Sequence, residues 1–279
     1  MTSPAILRYT AFTDTPEGGN PAGVVLDASQ LSDAEMQQIA ADVGYSESAF
    51  VTTRDDGSYD VRYFSPAMEV PFCGHATIAT AVALAERDGA GPLTFHTQAG
   101  VVPVATTGSN GSVTATLTSV VPHVEEAPSD LLDAALGALR WDAGELDPAL
   151  PPKVSYAGAR HLILGAATRE RLARLDYDFE ALKAIMHAHE LVTVDLVHRE
   201  DETTFNARNP FPTGGVVEDP ATGAAAAAFG AYLRDQAVIT PPATITVHQG
   251  VDMGRPSLLT IDVDADTPEI RVSGRAVAM

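Results

Sequence analysis

Residues 62–84, RYFSPAMEVPFCGHATIATAVAL, read as a short apolar strand ending at Ser65-Pro66, an acidic-apolar loop, then Cys73-Gly74-His75 and a helix of small residues. A partner stretch, FNARNPFPTGGVVEDPATGAAAAAFGAYL, occupies residues 205–233. Glu69 stands five residues before Gly74, and Glu218 five before Gly223. Each glycine opens an Ala-rich helix, so the pattern is one supersecondary unit used twice. The first helix is expected from about Gly74 to Arg87. Its opening turns are small or apolar on every side, as suits a core position.

Outward from these helices the chain alternates strands and turns. Ile6–Phe12 reads as a strand. Gly18-Gly19-Asn20-Pro21-Ala22-Gly23 reads as a turn-rich loop, either a plain hairpin connection or a place where backbone and an Asn amide approach a ligand. Leu31–Val43 is an amphipathic helix with Ser32 and Glu35 as a capping box and Gly44 as its stop. Strands are expected at 49–53, 59–64, 93–96, 100–106 and 113–118, with a turn at Gly108-Ser109-Asn110-Gly111. Residues 122–152 read as a connection plus a short helix. The second half repeats the alternation, with helices at 168–175 and 179–188. Two sets of strands, each carrying one Ala-rich helix, predict an α+β fold of two similar lobes. The first lobe is placed at 1–120, joined by a C-terminal strand at 266–279, and the second at 121–265.

The chain has 279 residues, 45% of them hydrophobic, enough for two ordinary domains. Its net charge of −20 makes nucleic acid and anionic membranes poor partners, because both need Lys and Arg to neutralise phosphates. One cysteine excludes an internal disulfide. The opening MTSPAILRYTAF lacks the charged and apolar regions of a signal peptide, and no apolar run reaches membrane length, so the expected location is cytoplasmic.

Glu47 lies where helix gives way to strand, beside apolar residues. It reads either as a solvated acid or as a general base whose pKa burial raises. Free amides at the two helix starts make anion sites by geometry and dipole. Cys73 reads as a small buried apolar residue or as a thiol base, and without a second cysteine a symmetric two-thiol mechanism is impossible. Asp219 reads as an N-cap, as a catalytic acid, or as both, and Pro220 fits a first helical turn. Asn209 stands where a large apolar residue is expected. His187 and His189 do not share a helix face, and no cluster has zinc spacing, so no metal is expected. No phosphate loop or GxGxxG occurs, and no cofactor is expected.

Gly19-Asn20-Pro21-Ala22-Gly23-Val24, Ser46-Glu47-Ser48-Ala49-Phe50, Phe64-Ser65-Pro66, Glu69 to Thr77, Glu218 to Gly223, and Gln249-Gly250 with Gly254-Arg255-Pro256 occur in this order. Together they resemble the PhzF-like (phenazine biosynthesis) family of isomerases across nearly the whole chain. That family is similar in fold to diaminopimelate epimerase. The resemblance implies two lobes, each a barrel-like, mostly antiparallel sheet around a central helix, with the active site in the cleft and a homodimer as the usual assembly. It implies Glu47 as the carboxylate that moves a proton, with His75 and Asp219 as polar cleft residues. It further implies Gly74, Gly223 and Ala224 as amide donors to a substrate carboxylate, and Asn20 as a contact from the first loop. The activity implied is isomerisation of trans-2,3-dihydro-3-hydroxyanthranilate or a related small carboxylate, without metal or organic cofactor. The family often carries Ser where this chain has Ala224, which bears on the substrate more than on the chemistry. Two other readings are an amino-acid racemase or epimerase pairing Cys73 with Asp219, and a non-catalytic module binding a carboxylate or a protein.

Overall fold

The computed structural model describes residues 4–108 and 112–279. The turn expected at Ser109-Asn110-Gly111 lies outside them. The chain forms two compact units, Met1–Thr118 with Ser273–Met279, and Ser119–Val272. The return to the first unit falls at Ser273 rather than at 266.

In the first unit, β1 (Leu7–Ala11) runs antiparallel to β2 (Asn20–Val25). Helix α1 (Asp33–Val43) leads to β3 (Glu47–Thr53), which lies parallel to β2. Ser32 and Glu35 form the capping box, and Gly44 ends the helix in the left-handed region. β4 (Tyr59–Phe64) is antiparallel to β3 and to the two-residue strand β5 (Glu69–Val70). Helix α2 (Gly74–Asp88) follows, then β6 (Pro92–Thr97), parallel to β4. β7 (Gly100–Thr107) and β8 (Thr114–Thr118) continue antiparallel. The chain's last strand, Ile270–Ala278, pairs with both β8 and β1 and closes a barrel of eight strands.

Helix α2 packs on β1, β2, β3, β7 and β8, and every residue from His75 to Ala85 is buried. Only small side chains let strands pass this close on all sides, which is why Ala and Thr dominate it. Its buried hydroxyls need partners. Thr77 Oγ1 donates to Cys73 O at 2.7 Å and accepts from the Tyr63 hydroxyl at 2.6 Å.

The second unit begins with β9 (His123–Glu126), a strand not expected in the segment read as a connection plus a short helix, and α3 (Ser129–Leu139), which is that helix. β10 (Lys153–Tyr156) pairs antiparallel with β9 and with β11 (Arg160–Gly165). After α4 (Arg169–Ala173) and α5 (Phe179–Ala188), β12 (Thr193–Arg199) lies parallel to β11. β13 (Thr204–Pro210) is antiparallel to β12 and to the short strand β14 (Glu218–Asp219). Helix α6 (Gly223–Asp235) precedes β15 (Ala243–Gln249), parallel to β13, and β16 (Ser257–Val263). The order of orientations from β10 to β16 repeats that from β1 to β7. Helix α6 is buried from Ala225 to Leu233. A Cβ at Gly230 would lie 2.7 Å from Ile261 Cγ2 and 2.9 Å from Ile270 Cγ2, so the sheet closes on the helix at its smallest residue.

The duplication carries an ion pair. Phe64 faces Glu69 and Pro210 faces Glu218 across their ladders. Two residues earlier on each longer strand stands an arginine. Arg62 binds Glu69 through Nε and one terminal nitrogen, both at 2.7 Å. Arg208 binds Glu218 in the same fork at 2.8 and 2.6 Å. Each fork fixes the loop leading into the buried helix. The second is the drier, with side chains 9% and 5% exposed against 33% and 21% in the first.

Candidate active site

In the first unit the site starts with β2 and β3. The segment expected as a loop at Gly18–Gly23 is strand from Asn20 onward, because Tyr9–Ala11 pair with Asn20–Ala22. Pro21 is tolerated near the strand start, where its missing N–H costs least. Gly19 makes the turn with φ +68, and a Cβ there would lie 2.3 Å from Ala11 O. Glu47 is the first residue of β3, in register with Ala22. Asn20 and Glu47 are thereby brought to the same end of neighbouring strands.

The head of α2 meets them there. Cys73 is its N-cap and its side chain makes no capping hydrogen bond, so the first amides are not covered by their own cap. Asn20 Nδ2 donates to His75 Nδ1 at 3.1 Å, which leaves the ring proton on Nε2. Nε2 lies 3.4 Å from Glu47 Oε2 and 3.4 Å from Ser46 Oγ. Cys73 Sγ lies 3.5 Å from the same carboxylate oxygen and 3.3 Å from His75 Nδ1. His75 is 5% exposed and the Glu47 side chain 14%, leaving the carboxylate a narrow opening. Burial raises the pKa of Glu47, against the lowering pull of hydrogen bonds from Ser46 and Cys73. The result is an acid poised nearer neutrality than usual, with an imidazole and a thiol touching it. Asn20, Glu47, Gly74 and His75, named from sequence, converge here, and Cys73 joins them.

Asp219, Gly223 and Ala224 lie in the second unit, at its own helix head. Two details depart from the sequence reading. The N-cap of α6 is Thr222, and neither Asp219 nor Pro220 is in the helix. Asp219 ends β14, paired with Asn209, and its Oδ2 accepts the Thr222 hydroxyl at 2.6 Å. The ladder to β13 fixes Asp219 before the helix can begin, which overrides its local preference for capping. Gln249 clasps the intervening loop: Nε2 donates to Asp219 O at 2.8 Å, and Oε1 accepts from Thr222 N at 3.0 Å. Gly250 next to it has φ +72, and a Cβ there would lie 2.3 Å from Arg255 O and 2.7 Å from Pro220 O. The Gln-Gly motif is a brace for the Asp219 loop.

Asn209 has its explanation in a buried polar chain. His161 Nδ1 donates to Thr193 Oγ1 at 2.8 Å, and Thr193 Oγ1 donates to Asn209 Oδ1 at 2.7 Å. Asn209 Nδ2 donates to Asp195 Oδ1 at 3.0 Å. Burial pushes His161 down to about 3 and Asp195 up to about 7. Nothing local in the sequence announces this chain, because its members come from three strands.

A buried Ala-rich helix wrapped by sheet, with the same order of strand orientations used twice, is the fold that epimerase- and racemase-like structures share. Solved agrobacterial structures, a probable proline racemase and a hydroxyproline epimerase, share that fold at TM-scores of 0.68 and 0.67 and 14% and 13% identity. The chain belongs to the PhzC-PhzF family, described as phenazine biosynthesis-like protein, whose model matches residues 9–279. The uncharacterized isomerase YddE of Escherichia coli K12 is 32% identical, covering 99% of this chain and 96% of its own. The trans-2,3-dihydro-3-hydroxyanthranilate isomerase of Pseudomonas fluorescens is also 32% identical, covering 96% and 94%. The solved PhzF-family protein of Bacillus anthracis superposes with a TM-score of 0.88 at 27% identity, covering 100% and 98%. The chain is an isomerase of this family. Among the described residues no helix is long and apolar enough to cross a membrane.

Proposed function

We propose that this isomerase moves a proton on a small cyclic or unsaturated carboxylic acid, of the trans-2,3-dihydro-3-hydroxyanthranilate type, with Glu47 as the acid–base shuttle and no cofactor. The observation that carries the reading is the largely buried Glu47 carboxylate at the head of α2, its pKa raised by that burial. In the proposed step the carboxylate takes a proton from carbon, charge spreads along the conjugated acid, and the same carboxyl returns the proton at another carbon. A base tuned toward neutrality suits this, and general acid–base help is typically worth about 10²–10⁴-fold. His75 Nε2–H and the Gly74 amide would steady the developing charge, with Asn20 holding the ring. We assign Asp219, Gly223 and Ala224 to substrate contact in the same proposal, and a homodimer as the assembly, which sedimentation measures. Support for the substrate class comes from the Pseudomonas fluorescens relative. Glu47→Gln should abolish incorporation of solvent deuterium into trans-2,3-dihydro-3-hydroxyanthranilate while leaving the circular dichroism spectrum unchanged. Undiminished exchange in that variant rules the role out.

One contact favours a second reading. Cys73 Sγ reaches both Glu47 and His75, as a thiol base of an asymmetric racemase would. Cys73→Ala separates the two: a folded but inactive variant supports the thiol, and full activity removes it.

A further inference from the structure

Residues 89–124 contain no Asp, Glu, Lys or Arg, in a chain that is 19% charged and carries a net −20. The stretch builds β6, β7 and β8. Side chains along these strands alternate between the two faces of the sheet. Val104 and Leu117 are on the buried face. Thr94, Pro103 and Ala105 are exposed on the other, with Val101 62% exposed beside them. Thr94 faces Pro103 and Ala105 faces Thr116 across the ladders, so these positions join into one patch. Thr116 Oγ1 lies 2.8 Å from Ser273 Oγ, which carries the patch onto the chain's last strand. Charge returns at its margin, where Arg275 stands 3.6 Å from Asp14. The fold itself does not demand an uncharged face. On β16, the counterpart of β7, the outward positions are Leu258, Thr260 and Asp262, and Asp262 Oδ1 accepts the Thr244 hydroxyl at 2.7 Å.

We propose that the outward face of β6, β7 and β8 is the surface through which two copies of this chain associate, sheet against sheet. The charge balance selects the occupant. A basic partner would be drawn to the acidic remainder of the surface rather than to this patch. A second copy brings its own net −20, and contact through acid-bearing surface would set carboxylates against carboxylates. Across this patch no acid is opposed to another. Depletion of charge is also what marks the core of a protein–protein interface, with charged and polar groups left at the rim. Ala, Pro and Thr are short enough for two sheets to stack at the usual separation of about 10 Å. The inference rests on the dimeric assembly assigned above and names the face that makes it.

Sedimentation velocity of the full chain over a range of concentrations is the test. In a two-fold contact Ala105→Glu places two carboxylates in the interface, one from each copy. The dissociation constant should rise by about a hundredfold or more. Leu258→Glu adds the same charge to an exposed apolar position on β16 and should leave the dissociation constant unchanged. Thermal melts show that each variant is folded, and Thr94→Glu, on the neighbouring strand, repeats the test if Ala105→Glu does not fold. A wild-type dimer that withstands the glutamate overturns the face and leaves the dimeric assembly standing. An equal loss in Leu258→Glu shows that net charge rather than this face decides, and also overturns it. A wild-type chain that sediments as a monomer throughout overturns the face and the assembly together.

Discussion

The buried pair His161 and Asp195 should make the protein's stability conceal two opposing pH dependences. Burial puts His161 at about 3 from an ordinary 6.5, and Asp195 at about 7 from an ordinary 3.8. Between pH 3.8 and 6.5 the unfolded chain therefore carries a proton on the histidine and none on the aspartate. The folded chain carries it on the aspartate and none on the histidine. Each state binds the same number, so this pair gives no slope in that window. Asp195→Asn leaves the depressed histidine alone. Its unfolded form takes up a proton that the folded form refuses, so stability falls as pH drops from 6.5. His161→Asn retains a donor toward Thr193 and leaves the raised carboxyl alone. The unfolded form then loses a proton that the folded form keeps, so stability falls as pH rises from 3.8. Each slope is about 1.4 kcal/mol per pH unit, so over 6.5 − 3.8, about 2.7 units, the two variants diverge from wild type by roughly 3–4 kcal/mol in opposite directions. Urea unfolding of the three proteins at several pH values in this window reads the effect. Subtracting the wild-type curve cancels every group they share. Variant curves parallel to wild type would refute the reasoning.

Further outcomes follow from the same geometry. Arg208→Ala strands the buried Glu218 carboxylate and should cost about 3–5 kcal/mol of stability, whereas Arg62→Ala, whose partner reaches solvent, should cost less, as denaturant midpoints will show. Gly250→Ala forces a side chain into a left-handed backbone facing two carbonyl oxygens. It should cost about 1–3 kcal/mol from conformation alone, and it should raise amide exchange through the Asp219 loop. Because burial holds the Glu47 pKa above its usual range, deuterium exchange should rise with pH through a value higher than an ordinary glutamate's. A pH–rate profile already flat at the ordinary carboxylate value would contradict that.

What the sequence disclosed was what local physics decides. Ser32, Glu35 and Gly44 place α1 almost to the residue, because its caps are made within one turn of the chain. The two glycine-led helices are legible since their composition alone demands burial. Glu47 and His75 could be named, yet the closeness of Cys73 to Glu47 could not, because a strand register 26 residues away sets it. Residues 20–23 read as loop from their Pro and Gly content, and pairing on both sides makes them strand. Asp219 carries a good cap's chemistry, but its ladder to Asn209 claims it first. The two arginine forks were invisible for a similar reason: the arginines look like ordinary strand charges until the register brings each to its glutamate.

The first barrel takes its eighth stave, Ser273–Ala278, from the far end of the chain. During synthesis, residues 7–118 therefore leave the ribosome with β1 and β8 both lacking a neighbour, and they wait while all of the second unit is made. Two exposed edges persist for that whole interval, which is when a half-built sheet most readily joins the wrong partner. The Ala-rich rod of α2 has no finished wall around it until the last few residues arrive. Arrival of Ser273–Ala278, after all of the second unit, rather than completion of residues 7–118, is the event that seals the half carrying Glu47.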